Sequence, residues 1–262
     1  MVDPRSDEHR YVDNNGRLSE AVLALNNETV SPEVVIATGD LTNWGQHSEY
    51  DQLVHLVGPL EPPLLPLPGN HDDRDELRAA FPETPWVDAA HASWVTTIGD
   101  VNLIGLDSTI PGAAGAEFDE DREQWLITAL ATAETSGASQ TLLALHHPPF
   151  VTGIDWMDRA GFIGLERLTA VLTESRSSPG SGVDRIICGH LHRPISSVVA
   201  GVPAQVGIST VQHVALDLAP DAPITMINDP AGYLLHNFVG QSWVTHTRYV
   251  ATGEAPYRPD WA

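Results

Sequence analysis

The sequence has 262 residues, 42% hydrophobic and 18% charged, which are the proportions of a folded domain with a full core. Its formal net charge of −22 argues against binding nucleic-acid polymers, whose affinity rests on Lys and Arg against phosphates. One cysteine, Cys188, rules out an internal disulfide and fits a reducing, cytoplasmic compartment, and no apolar stretch is long enough for a transmembrane segment.

Residues 1–15 are polar and patternless. Leu18, Ala21, Val22 and Leu25 then recur at helical spacing until Pro32. Val34 to Ala37 reads as a buried strand that delivers Thr38-Gly39-Asp40-Leu41-Thr42 at its end. A second helical stripe follows at Tyr50, Leu53, Val54 and Val57. Leu64 to Leu67 is apolar but laced with prolines, so it predicts a short or edge-like strand, ending in Gly69-Asn70-His71-Asp72. Asp73 is placed to cap a short helix through Leu77 and Ala80.

Residues 93–98 and 101–106 alternate around Gly99-Asp100 and predict a hairpin. A helix over 119–133 turns Trp125, Leu126 and Ala129 inward. The strand 141–145 ends in His146-His147-Pro148-Pro149, and 150–162 reads as a loop over the site. Leu165, Leu168 and Val171 mark a helix, joined by a Ser/Gly/Pro-rich linker to the strand 183–187 and to Cys188-Gly189-His190-Leu191-His192. Short runs at 195–199, 203–208, 213–218 and 232–238 predict an antiparallel meander, and the tail is irregular. No composition break divides the chain, so a single domain over 1–262 is expected. Alternating strands and helices followed by strands alone indicate an α+β fold, with two sheets face to face as one solution.

Taken singly, the polar strand ends have plain explanations as turn, cap or satisfied core residues. Taken together they place Asp40, Asn70, His146, His190 and His192 outside the carboxyl ends of strands, where ligands gather in α/β sheets. One carboxylate, one amide oxygen and several imidazoles suit Fe, Mn or Zn rather than calcium. Bound cations would also supply the positive charge that an anionic substrate needs in so acidic a chain.

Gly39-Asp40, Gly69-Asn70-His71-Asp72, His146-x-Pro148 and Gly189-His190-x-His192 resemble the motif series of the calcineurin-like metallophosphoesterases. In detail, Gly39-Asp40-Leu41-Thr42-x-x-Gly45, Asn70-His71-Asp72-Asp73-Arg74 and Leu145-His146-His147-Pro148-Pro149 resemble the bacterial class III cyclic nucleotide phosphodiesterases. The resemblance covers roughly residues 16 to 240 and implies a four-layer αββα sandwich with two divalent or mixed-valence ions. It implies that Asp40 bridges the ions, that Asn70, His146 and His190 bind one, and that His192 helps bind the other. His71 then faces the substrate, stabilising the phosphate or protonating the leaving alkoxide.

The resemblance also implies hydrolysis of a small phosphodiester, with 3′,5′-cyclic AMP or GMP leading. The alternatives are a glycerophosphodiester phosphodiesterase, a phosphomonoesterase, or a non-catalytic nucleotide-binding relative. A homodimer is compatible with the family. Relatives open with a strand followed by Asp-x-His. Here Asp7-Glu8-His9 comes after only a short, charged stretch carrying Pro4, which is poor strand material. The first strand is therefore expected to be missing, with Asp7 and His9 outside the site and the second ion held weakly.

Overall fold

The computed structural model describes residues 13–177, 181–240 and 242–250. Asp7 and His9, and the tail beyond Val250, lie outside the described residues. The first element is α1 (Asn14–Asn26), whose N-cap Asp13 accepts from the Gly16 N–H. It leads into β1 (Val35–Ala37), then α2 (His47–Val57), opened by Glu49 accepting from the Gln46 N–H. Next comes β2 (Leu64–Pro66), parallel to β1 with Ile36 opposite Leu65. It is as short as its prolines predict. The helix α3 (Arg74–Ala80) starts at the expected cap, Asp73, which accepts from the Asp75 and Glu76 N–H groups.

The expected hairpin forms from β3 (Trp94–Ile98) and β4 (Val101–Leu106). A small excursion, β5 (Thr109–Ile110) and β6 (Ala113–Glu117), precedes α4 (Glu120–Thr135) and β7 (Gln140–Leu145). The stretch read as a loop over 150–162 carries two short elements, α5 (Asp155–Asp158) and β8 (Phe162–Ile163), the latter paired with β6. Then come α6 (Leu165–Ser175), β9 (Arg185–Cys188), β10 (Ile195–Val199) and β11 (Val202–Val206). The last strands are β12 (His213–Val214), β13 (Met226–Ile227), β14 (Gly232–Val239) and β15 (Ser242–Tyr249).

A six-stranded sheet in the order β10-β11-β9-β7-β4-β3 forms the centre, its inner four strands mutually parallel. The expected meander after residue 194 does not form as one unit. Strand β11 turns back from β10 but pairs in parallel with β9, which buries Val202, Ala204 and Val206 in the core. The 213–218 run is strand only at 213–214, and the excursion after it contains Pro220 and Pro223, which lack ladder donors. Strand β14 pairs with β15 instead.

Side chains alternate across the central sheet. On one face Leu103, Leu142, Ala144 and Ile187 pack with Leu65, Leu67 and Trp94, joining the central sheet to the β1–β2 pair. On the other, Ile104, Leu143, Leu145, Ile186 and Cys188 pack against α4 and α6 through Leu126, Leu130, Leu168 and Leu172. Helices α1, α2 and α3 cluster around Tyr50, Leu53 and Leu77. This is the α+β fold the motifs imply: α4 and α6 cover one face of the central sheet, and the separate β1–β2 pair packs on the other. Cys188 is a buried core residue whose thiol burial pushes well above its ordinary pKa. Among the described residues no helix is long and apolar enough to cross a membrane.

Candidate metal centre

Strands β1 and β2 run parallel, as do β7 and β9, and the turns leaving their carboxyl ends meet. At the meeting point His146 is fully buried. Its Nδ1 donates to the Thr38 carbonyl at 2.7 Å, which turns Nε2 toward three other polar atoms. These are Asp40 Oδ2 at 3.3 Å, Asn70 Oδ1 at 3.2 Å and His190 Nδ1 at 3.2 Å. One proton can serve one pair among these atoms. A divalent cation can take lone pairs from several of them at once. Ligands held roughly 2.0–2.2 Å from one ion stand roughly 3.0–3.5 Å from each other, and His146 Nε2 stands at that separation from each of the other three atoms. The donor set therefore fits a borderline divalent metal.

The backbone is bent to make this approach. Asp40, His190 and His192 all have left-handed φ, at 53°, 70° and 56°. Non-glycine residues adopt that region at a cost and mostly where surrounding structure enforces it. A Cβ on Gly39, itself at φ 93°, would stand 2.5 Å from His146 Nδ1, and one on Gly69 would collide with the Asp40 carboxylate. Both glycines are required by the closeness of these turns.

His192 donates from Nδ1 to the Gln212 carbonyl at 2.8 Å, which leaves its Nε2 available as a ligand atom. His71 is exposed and stands beside the cluster: its backbone N–H donates to Asp40 Oδ1 at 3.1 Å. Its ring Nδ1 lies 2.9 Å from the Asn43 carbonyl, so Nε2 is the nitrogen offered outward. His147 is also buried, and the rings of His146, His147 and His190 form a cluster. The His147 nitrogens are already engaged, Nδ1 with Ser108 Oγ at 2.9 Å and Nε2 with the Ala114 carbonyl at 3.2 Å.

The electrostatics arise from burial and from the Asp40–His146 contact. Burial raises the Asp40 pKa, but the adjacent His146 outweighs it and holds the carboxyl well below its usual range. Burial lowers His146, and Asp40 beside it reverses the shift upward. Burial keeps His190 and His192 below the ordinary histidine range and brings His147 to about 3. Neutral imidazoles with available lone pairs are what a metal requires.

Several residues support this cluster in roles that their sequence positions do not reveal. Asp72 accepts from the Leu41, Thr42 and Gly69 N–H groups at 2.9–3.0 Å, and from the Thr42 hydroxyl at 2.8 Å. It thereby braces the turn carrying Asp40 against the turn carrying Asn70. Tyr50 Oη lies 3.1 Å from both Asp72 Oδ1 and the Asp73 carbonyl and accepts from the Asp73 N–H. Glu49 accepts from the Asn43, Trp44 and Gln46 N–H groups, shaping the loop that holds His71. Asp107 and Ser108 come after β4 as the ligand-type residues come after their strands, and that shared position was the available signal.

The profile of the calcineurin-like phosphoesterase family matches residues 6–194. The chain is 34% identical over 252 residues to a protein of Arcobacter nitrofigilis named "Probable glycerophosphodiester phosphodiesterase GpdQ", covering 95% of this chain and 89% of that one. It is 33% identical over 219 residues to "Probable cyclic nucleotide phosphodiesterase RPA0124" of Rhodopseudomonas palustris, covering 83% and 77%. In fold it is similar to the purple acid phosphatase PPD1 of yellow lupin, at TM-score 0.62 and 15% identity. That alignment covers 92% of this chain and 48% of the lupin chain. The motifs, the fold and these matches agree: this chain belongs to the calcineurin-like phosphoesterase family and is a hydrolase of phosphoesters.

Proposed function

We propose that the chain hydrolyses small phosphodiesters, 3′,5′-cyclic nucleotides first among them, at a centre of two divalent or mixed-valence ions drawn from Fe, Mn and Zn. The observation that carries this reading is the approach of Asp40 Oδ2, Asn70 Oδ1 and His190 Nδ1 to His146 Nε2 within 3.3 Å. In the proposal Asn70, His146 and His190 would hold one ion, His192 would help hold the other, and Asp40 would serve both. When bound, the ions neutralise phosphate charge and make hydroxide available near neutral pH.

The chain's own residues do the rest. Thr38 and Gln212 fix the tautomers of His146 and His192, so that Nε2 is the free nitrogen in each. Asn43 does the same for His71, whose Nε2, when protonated, donates to the departing alkoxide. Arginine is not available to take the phosphate charge from α3 or α4, because Arg74 pairs with Asp107, Arg78 donates to the Val87, Ala89 and His91 carbonyls, and Arg122 pairs with Asp119. The chain contains no lysine.

A second reading, turnover of glycerophosphodiesters, is favoured by the 34% identity to the Arcobacter protein of that name. The test is elemental analysis of purified protein, then initial rates on cyclic AMP and on glycerophosphocholine with Mn²⁺, Fe²⁺ or Zn²⁺. Metal uptake with turnover of either diester that chelator abolishes supports the proposal. Protein that takes up none of the three metals and turns over neither diester would overturn it.

A further inference from the structure

Beside the histidine cluster is a pocket of about 120 Å³, walled by Pro148, Phe150, Met157, Phe162 and Leu191 and bounded by the His190 ring. His190 Nδ1 lies 3.2 Å from His146 Nε2, so the pocket is next to the place where a phosphate would react. We infer that this pocket seats the nucleobase of the substrate, with Phe150, Met157 and Phe162 as its specificity-determining walls. The inference rests on the phosphodiesterase reading and names the group that reading leaves open.

The walls are fixed in advance. Asp158 accepts from the Thr152 N–H and hydroxyl and from the Gly153 N–H at 2.8–3.0 Å, which closes the loop on itself. Ile154 anchors it in the core, and Phe162 pairs in register with Ala116. A preformed pocket spares the ordering cost that a mobile loop would add to binding. Its chemistry selects a flat heteroaromatic group. No arginine lines it, and its carboxylate, Asp158, is turned onto Thr152 and Gly153. Glycerol hydroxyls entering it would leave water for few partners, an unfavourable exchange. A base presents apolar faces to the two aromatic residues and keeps its polar edge toward the open side.

The test compares wild type with Met157→Trp, which fills the pocket, and Phe162→Leu, which removes a ring while retaining the strand pairing. Each folded variant is expected to lose about tenfold or more in kcat/KM for cyclic AMP, as loss of a base–aromatic contact does. The value for glycerophosphocholine is expected to stay within about twofold, since that substrate has no base to lose. Equal losses on both substrates, or none on either, overturn the inference. Adenosine, which carries no phosphate, gives a readout free of turnover by calorimetry. Adenosine binding to wild type that the variants weaken supports the pocket even if hydrolysis is absent, in which case only the phosphodiesterase reading fails. Wild type that does not bind adenosine at millimolar concentration overturns the pocket whatever the enzyme hydrolyses. If Met157→Trp does not fold, Phe162→Leu decides.

Discussion

Arg74 Nε lies 2.6 Å from Asp107 Oδ2, tying the first turn of α3 to the residue after β4. Asp107 is fully buried and also accepts from the Ala92 and Thr109 N–H groups. Replacing it with Ala leaves the largely buried Arg74 guanidinium bonded to Thr109 but without its counter-ion. The expected loss is about 3–5 kcal/mol, read as a lower urea midpoint at unchanged slope. Exchanging Arg74 and Asp107 together for Met and Leu is expected to recover part of that loss. A single variant as stable as wild type would show that the pair does not hold α3 to the sheet.

Asp72 is a positioning residue that joins two ligand-bearing turns. In Asp72→Ala the Leu41, Thr42 and Gly69 N–H groups lose their shared acceptor, and the two turns are free to separate. Metal affinity is expected to fall about 10–100-fold, measured by competition with a chromogenic chelator. Asp72→Glu is expected to restore part of it. Unchanged affinity in Asp72→Ala would show that the centre holds without this brace.

His71 is exposed, and its ring contributes nothing to the core. His71→Ala is expected to lower kcat on cyclic AMP by about 10²–10⁴ while leaving thermal stability and metal content unchanged. The effect should shrink with a substrate whose leaving group needs no proton, such as a p-nitrophenyl diester. An equal loss on both substrates would assign His71 to phosphate binding rather than to proton donation.

The three polar atoms that converge on His146 Nε2 predict that cation binding stabilises the fold. Adding Mn²⁺ or Zn²⁺ to chelator-treated protein is expected to raise Tm, by an amount equivalent to about 2.7 kcal/mol at a hundred times Kd. The rise should vanish in Asp40→Ala. A Tm indifferent to metal would contradict the centre.

Acid sensitivity has a source remote from the site. His236 on β14 is pushed down to about 4 by burial and by the nearby Arg185 guanidinium, and Thr245 Oγ1 lies 2.9 Å from its Nδ1. Its folded pKa lies below the unfolded value of 6.5, so between the two the unfolded chain binds a proton that the folded one refuses. Its neutral form is accommodated fully above pH 6.5, and stability is lost progressively as pH falls toward 4. The contribution is about 2–3 kcal/mol across that window. His236→Gln is expected to flatten the slope of Tm against pH between 6.5 and about 4. A variant with the wild-type slope would place the acid sensitivity in other groups.

The sequence by itself determined the placement of ligand-type side chains at strand ends. The apolar run from Leu142 to Leu145, the glycines before Asp40, Asn70 and His190, and the Asp73 cap are local signals written in consecutive residues. Only the tertiary structure decided which nitrogen of each histidine is free. That choice depends on carbonyls far along the chain, as when His146 finds Thr38 across 108 positions. The same is true of Asp72 and Asp107, whose carboxylates act as braces only once distant turns converge. It also holds for β11, which alternates like any antiparallel partner of β10. Burial of Val202, Ala204 and Val206 against β9 is a property of the assembled core, and it sets that strand parallel.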